Sequence, residues 1–462
     1  MAAPPKDKGK NAFDWKLHEA AEDHLQELLG RFMAHHAPTA VLAERMESET
    51  STRLFDWVDH IALPETDVNL DALAGLGFHE VEGAKVPDGA RLLRVPGSTL
   101  FPLLVRAGGP TELVLHVEQI EAFQAVHAWN KEVLGGPWAS ARWLEVAARS
   151  DRRLVALERR GHCGFVFDAS QEDDAHTYAK AFRSLVVRKR EFFGDEEGFH
   201  ATEDLLRRIL KDLPPSRAAD AFFRAERRYY ESRNDVGRLQ RERQDHLGMG
   251  WGNNDHHTFR CSREHFRDTL MLLELLGMTA RERFYAGAEA GWGAQVLEHP
   301  GCGAVVFADV DLLPEERGTN FSTGALGALE RPGTIGLWVA LHGESMLQSG
   351  LHHMAARVDY KRFKADMAAK GHGMMAPFSD FPFLVQSFSE PQRWHVDAAR
   401  AAVVEDQGLV DEARLNEFRE HGAIAGHFEA IERNQGFKGF NQDSVSVIIR
   451  ATDPRSHRGG MG

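Results

Sequence analysis

Two textures of apolar spacing alternate along the chain. Between residues 13 and 50, Leu17, Ala21, Leu25, Leu28, Leu29 and Phe32 recur three and four positions apart, the period of an amphipathic helix. The pattern then tightens. Residues 55–63 (FDWVDHIAL) read as a strand, residues 70–76 as a short helix stopped by Gly77, and residues 92–95 and 101–105 as short apolar strands between Gly- and Pro-bearing turns. The same order starts again at residues 111–117 and closes near 154–158 and 163–167. It returns a third time with a strand at 255–260, a helix at 264–276 closed by Gly277, and strands at 294–298 and 304–307. A fourth copy opens at 351–358, continues in a helix at 360–370 with a Gly371 stop, and reaches a strand at 383–388. Residues 397–420 read as a partly helical insertion in that copy. The pieces LERRGHCG (157–164) and LEHPGCG (297–303) look alike as strand–turn–strand units. The predicted class is α+β: four βαβββ modules paired into two half-barrels.

Between the second and third copies, residues 171–247 change character. Arg, Glu, Lys and Asp dominate, and Leu205, Leu206, Ile209, Leu210, Phe222 and Phe223 keep helical spacing. This predicts a helical connector with solvated charged faces. The expected organisation is a tail and helix over 1–50, a paired-module domain over 51–170, the connector over 171–247 and a second paired-module domain over 248–462. The connector helices either bridge the halves or pair copies of the chain as a homo-oligomer.

Composition narrows the classes of function. The chain has 462 residues with 55 Lys and Arg against 69 Asp and Glu, a net charge of −14. That balance disfavours a general nucleic-acid or anionic-membrane surface. No run of about 18 apolar residues is present, so no membrane span is expected. The first residues lack the apolar stretch of a secretory signal and read as a disordered tail. Three cysteines without a CxxC pair argue against a disulfide framework or a thiolate metal site, and a reducing cytoplasm is the expected location. Phosphate loops of the GxxxxGK[ST] type and GxSxG nucleophile motifs are absent. Histidine is abundant at 24 residues, so position has to separate ligands from background.

Two histidines stand out because they recur at one place in two successive modules. Side chains on a strand alternate faces, so His256, Thr258 and Arg260 share one face, as do His353, Ala355 and Arg357. In each HisHis pair (256–257 and 352–353) only one ring can face a site; its neighbour turns to solvent or to another partner. A third segment, HFEAIERNQGFKGFN from His427, supplies Glu429. Two imidazoles and a carboxylate form the facial triad of non-haem Fe(II) sites, which leaves positions open for substrate and O2. An Arg four residues beyond each His suits a distal anionic group.

The module pattern resembles the vicinal-oxygen-chelate superfamily, and residues 250–445 resemble its Fe(II) α-keto-acid dioxygenases. Segments DH at 255, GLHHMA at 350, FLVQSF at 383 and FEAIER at 428 are similar to those of 4-hydroxyphenylpyruvate dioxygenases. HHTFR at 256, HMAARV at 353 and HFEAIE at 427 are similar to those of 2-oxoadipate dioxygenase/decarboxylases. The resemblance implies Fe(II) on His256, His353 and Glu429, with Arg260 holding a distal carboxylate. Arg357 and Gln386 are then expected at the substrate, and Phe437 and Phe440 are expected to close the pocket. The implied partners are a small 2-oxo acid and O2, and the implied reaction is oxidative decarboxylation. The sequence departs from the first family in lacking its Gly-Asn-Phe gating segment, in whose place GFKGFNQD stands from Gly436.

Three rival readings keep the fold and change the chemistry. An extradiol ring-cleaving enzyme needs an acid/base His, for which His352 and His427 are the candidates. An isomerase or lyase needs the metal but not O2, and a binding protein needs neither. In the first half, His60 stands at the ligand position. Glu112, rather than His116, falls at the second, and Glu158 is a candidate third ligand. The first half is therefore expected to be degenerate and structural.

Overall fold

The computed structural model describes residues 15–127, 131–149, 151–166, 175–285, 291–441 and 452–455. The tail expected at the N-terminus lies outside the described residues. The leading helical segment breaks where Pro38 sits in the first turn of a new helix, giving α1 (Glu19–His35) and α2 (Ala37–Arg45). The first half then runs β1 (Val58–Pro64), α3 (Leu70–Gly75), β2 (His79–Glu80), β3 (Arg91–Arg94), β4 (Leu103–Arg106), β5 (Thr111–His116), α4 (Ile120–Val126), β6 (Val133–Leu134), β7 (Ala141–Arg149) and β8 (Arg152–Arg159). Four helices follow: α5 (Ala175–Val186), α6 (Asp195–Ile209), α7 (Pro215–Glu231) and α8 (Asp235–His246).

The second half runs β9 (Asn254–Arg260), α9 (Phe266–Leu275), β10 (Thr279–Tyr285), β11 (Trp292–Glu298), β12 (Val305–Asp311), α10 (Thr334–His342), β13 (His353–Arg357), α11 (Tyr360–Ala369), β14 (Ser379–Phe381) and β15 (Leu384–Phe388). The short pair β16 (Arg393–Trp394) and β17 (Ala423–Ile424) flanks the inserted helices α12 (Ala398–Asp406) and α13 (Glu412–His421). Strand β18 (His427–Arg433) comes last among the described strands and lies between β13 and β15. The insertion expected over 397–420 is thus two helices.

Two eight-stranded sheets result, with one topology. Their strand orders are β2-β3-β4-β1-β5-β8-β7-β6 and β10-β11-β12-β9-β13-β18-β15-β14. The central pair is antiparallel in both (β1/β5 and β9/β13), and each central strand has a parallel neighbour outside it. In the second sheet, alternation sorts the side chains cleanly. Phe259, Val306, Ala308, Met354, Ala356, Phe428 and Ala430 face the helices and merge with residues of α5–α9 into one core. Phe284, Trp292, Ala294, Phe307, Phe378 and Phe388 line the opposite, inner face.

Several expectations are corrected. Residues 163–166 form a loop, not a strand, and β8 closes the first half. The look-alike pieces at 157 and 297 are not equivalent, since the first leaves β8 and the second joins β11 to β12. The connector's charges are not all solvated. Glu226 on α7 is fully buried and accepts from Arg188 (2.9 Å) and Arg190 (2.7 Å). Glu118, beyond β5, receives Arg227 (3.4 Å) and Arg241, with the Arg224 guanidinium 3.8 Å away, tying α7 and α8 to the first half. Pairing of this kind is what allows charges into a core.

Candidate metal centre

The inner face of the second sheet gathers His256 from β9, His353 from β13 and Glu429 from β18. Register explains the convergence: Ala355 lies opposite His256 on one side and opposite Glu429 on the other, with His353 two residues upstream on the same face. His256 Nε2 and His353 Nε2 each lie 3.1 Å from one oxygen of Glu429. Ligand atoms of the three residues fall within 4.8 Å of one another, the one such group of His, Cys and acidic side chains among the described residues. All three are buried.

The surroundings orient the donors. Ala356 pairs with Asn254 while Ala355 pairs with His256, so Asp255 is the extra residue of a β-bulge. That bulge turns the Asp255 carboxylate onto His256 Nδ1 at 3.0 Å, leaving Nε2 toward Glu429. Asp255 is itself held by Arg433 (2.8 and 3.0 Å) and Arg357 (3.1 Å). A carboxylate on the far nitrogen of a ligating imidazole fixes its tautomer and raises its basicity. Gln386 donates from Nε2 to the second oxygen of Glu429 at 2.8 Å. Thr258 Oγ1 sits 2.8 Å from His353 Nε2.

Electrostatics follow this geometry. Burial opposes a charge on His256, yet Glu429 and Asp255 lift it to about 9. Burial also opposes ionisation of Glu429, and the two imidazoles overcome it, holding the carboxyl well below the usual range. His353 is lowered by burial, which Glu429 offsets only in part. These shifts favour an ionised Glu429, a neutral His353 and a second proton on His256, at Nε2. Three converging N and O donors, with the His256 tautomer fixed by Asp255, are a fitting donor set for a divalent first-row metal, which would take the proton's place.

The remaining residues singled out in the sequence divide. Arg260 is on the triad's face, fully buried, with Nε and Nη1 unpartnered among the described residues. Its guanidinium lies 5.4 Å from the Trp338 ring, and burial pushes it down to about 10 despite Asp309 and Asp311. Phe440 stands edge-on to His256 at 5.1 Å and to Phe307 at 4.7 Å. Phe437 packs on Phe383 at 4.8 Å, beside Ala355 and Ile431. Arg357 is engaged elsewhere: it pairs with Asp255 and lines a crevice of about 250 Å3 between the halves with Asp59, Arg94 and His116. Gln386 is likewise committed, to Glu429 and, through its carbonyl, to the Asn441 N–H (3.3 Å).

Neither second histidine turns to solvent. His257 stacks on Phe223 at 4.8 Å, donates to Val305 O and accepts from Arg227. His352 packs against Trp338 (5.2 Å) and His427 (5.2 Å), while His427 also stacks on Phe388. A second cavity of about 300 Å3, lined by Arg94, Arg159, Arg224, Arg227, Asp59 and Glu118, lies on the His257 side of β9 and is separated from the triad by the strand. Asp255 and Asp309, both missed from the sequence, complete the inner face. Asp309 is buried, pairs in register with Arg260, and is pushed up to about 7 by burial despite that neighbour.

No helix among the described residues is long and apolar enough to cross a membrane. No family model matches the chain, and no curated protein matches it. Faint likenesses to solved structures are found. 4-Hydroxymandelate synthase from Streptomyces coelicolor (a triple mutant) is 11% identical over 87% of this chain and 98% of that one, with a TM-score of 0.29. Methylmalonyl-CoA epimerase from Mycobacterium tuberculosis is 13% identical over 40% of this chain and 89% of that one, with a TM-score of 0.23. The uncharacterized protein YdcJ from Shigella flexneri, which includes domain DUF1338, is 10% identical over 57% of this chain and 73% of that one, with a TM-score of 0.25. At such identities and scores these proteins do not bear on the chemistry, which rests on the side chains above.

Proposed function

We propose that the chain is a non-haem Fe(II) dioxygenase that oxidatively decarboxylates a 2-oxo acid. The observation that carries this reading is the buried convergence of His256, His353 and Glu429 on one sheet face, 3.1 Å from imidazole to carboxylate in each case. A ferrous ion held by these residues would supply joint binding of O2 and of the 2-oxo carboxylate.

The chain's own residues do the rest. Asp255 keeps the His256 proton on Nδ1 and Nε2 free to ligate. Gln386 holds Glu429 through one oxygen and leaves the other for the ligand role. Phe307, Phe388 and Phe440 keep the centre dry, and Arg260 offers the N–H groups of its unpartnered Nη1 to the far carboxylate of the substrate, as charge-assisted bonds. A 2-oxo dicarboxylate fits that end better than an arylpyruvate, whose ring would leave the buried guanidinium unmatched.

The test is anaerobic loading with Fe(II), followed by O2 consumption and CO2 release with a panel of 2-oxo acids. Equimolar O2 uptake and CO2 release with a 2-oxo dicarboxylate is expected. Arg260→Ala should raise its KM about 10- to 100-fold, the scale of a lost hydrogen-bonded charge. Turnover without O2 would overturn the dioxygenase reading and leave the metal; no metal uptake would overturn both.

A further inference from the structure

The far end of the triad's face holds a second group that dicarboxylate binding does not use. Asp309 on β12 is the register partner of Arg260 on β9, so both side chains rise from the same, inner face. Phe307, two residues before Asp309, touches the His256 ring at 5.0 Å, which fixes that face as the triad's. On its other side Asp309 pairs with Ala294, whose methyl group offers the carboxylate no hydrogen bond. The Asp309 carboxylate has no hydrogen-bond or ion-pair partner among the described residues, and Arg260 does not reach within ion-pair distance. Arg260 in turn keeps Nε and Nη1 unpartnered.

The nearby acids differ in this respect. Asp311 accepts from the N–H groups of Ile335 and Gly336 at the start of α10. Asp453 accepts from Thr334 and Arg455. Asp309 alone of the three is left to a ligand, and the other charges that act on it are Arg260, His256 and Glu429. Once Arg260 is taken by a carboxylate, Asp309 loses its compensation in a buried site, so it stays ionised only where a cation meets it and otherwise takes up a proton.

We infer that Arg260 and Asp309 together form a subsite for an α-amino-acid terminus, Arg260 binding the carboxylate and Asp309 the adjacent ammonium. The inference rests on the proposed reading in that the other end of the ligand lies toward the triad. It makes Asp309 a specificity-determining residue and narrows the substrate class to acids that carry an amino group beside the distal carboxylate. Each charge of the zwitterion then meets its opposite, and the pair of side chains rejects a dianion such as a phosphate monoester.

Calorimetry on the Co(II)-loaded protein, under nitrogen, with adipate and 2-aminoadipate as probes, tests this. The amino acid should bind at least tenfold tighter than adipate, and Asp309→Asn should erase that preference while leaving adipate affinity within threefold. Retained adipate binding reports that the variant is folded; if it is lost, Asp309→Ser is measured in its place. A preference that survives in both variants, as it would if the amino acid chelated the metal, overturns the subsite. Equal binding of the two probes by the parent protein overturns it even where O2 consumption is confirmed. The expected preference without O2 consumption overturns the dioxygenase reading and keeps the subsite, and no binding of either probe overturns both.

Discussion

The two halves of the molecule carry the same scaffold around a histidine, and among the described residues only one of them carries a candidate metal triad. In the first sheet Val58 pairs with Leu115 and His60 with Val114, so Asp59 is the extra residue of a bulge, as Asp255 is in the second. Asp59 lies 2.6 Å from His60 Nδ1 and is gripped by Arg159 at 2.6 and 2.8 Å. Arg159 Nη1 donates to His162 O and Gly164 O, while Arg433 Nη1 donates to Phe437 O and Gly439 O. Phe165 stands edge-on to His60 at 4.8 Å, as Phe440 does to His256 at 5.1 Å.

The ladders then show what differs. His353 pairs with Thr258, and the corresponding pair is Glu112 with Ala62. Glu429 lies beside Ala355, and Val155 lies beside Val114. The three positions therefore read His60, Glu112, Val155, and Glu112 is paired with Arg106 (3.1 Å) and Arg153 (3.8 Å). The sequence-based expectation of Glu158 as a third ligand is corrected: it is buried and ion-paired with Arg142 and Arg160. The lesson is that the support around a histidine stabilises a sheet without a metal, whereas the ligand set is decided at two further positions.

The comparison can be broken in three ways, from the largest effect down. Installing the missing ligands by Glu112→His with Val155→Glu should add a second metal equivalent per chain, measured by elemental analysis after dialysis. A variant that folds, by circular dichroism, but still holds one equivalent would show that the halves differ by more than two residues. Next, the same substitution should act differently in each half. Asp255→Asn should weaken metal binding about 10- to 100-fold. Asp59→Asn should leave binding unchanged and cost about 3 kcal/mol in urea unfolding, because it strands Arg159 in a poorly solvated place.

The smallest effect is the pH dependence of that cost. Burial opposes ionisation of Asp59, but Arg159 and His60 hold its carboxyl well below 3.8. A depressed carboxylate contributes stability that is complete above the unfolded value and is lost as pH falls toward the folded one. The gap between wild type and Asp59→Asn should therefore hold from pH 7 to about pH 5 and shrink by pH 3. A gap independent of pH would mean that packing, not charge, makes the difference.

Much of the second site was legible in the sequence because strand period and module order are local signals. They place His256 and His353 at one recurring position and Glu429 in a segment near the end of the last module. What the sequence did not show depends on the third dimension. A bulge puts Asp255 beside His256, and nothing in the string DHH marks the extra residue. The strand period points Arg357 and the family resemblance points Gln386 to the substrate, but Asp255 engages the first and Glu429 the second. Asp309 hid in the apolar run AVVFADV, where its meaning depends on pairing with Arg260. Helix α10 escaped because TIGLWVALH is apolar all round, with no polar face to set a period, and it is buried on most sides. The charged helix α7 misled in the opposite sense, since its acids and arginines neutralise one another inside the core.

Metal stoichiometry tests the central claim most directly. The protein, loaded anaerobically with Fe(II) or Co(II) and dialysed, should hold one ion per chain. That ion should be lost in His256→Ala and in Glu429→Gln and retained in His60→Ala. Two ions in the parent protein, none at all, or full retention in His256→Ala would contradict the account.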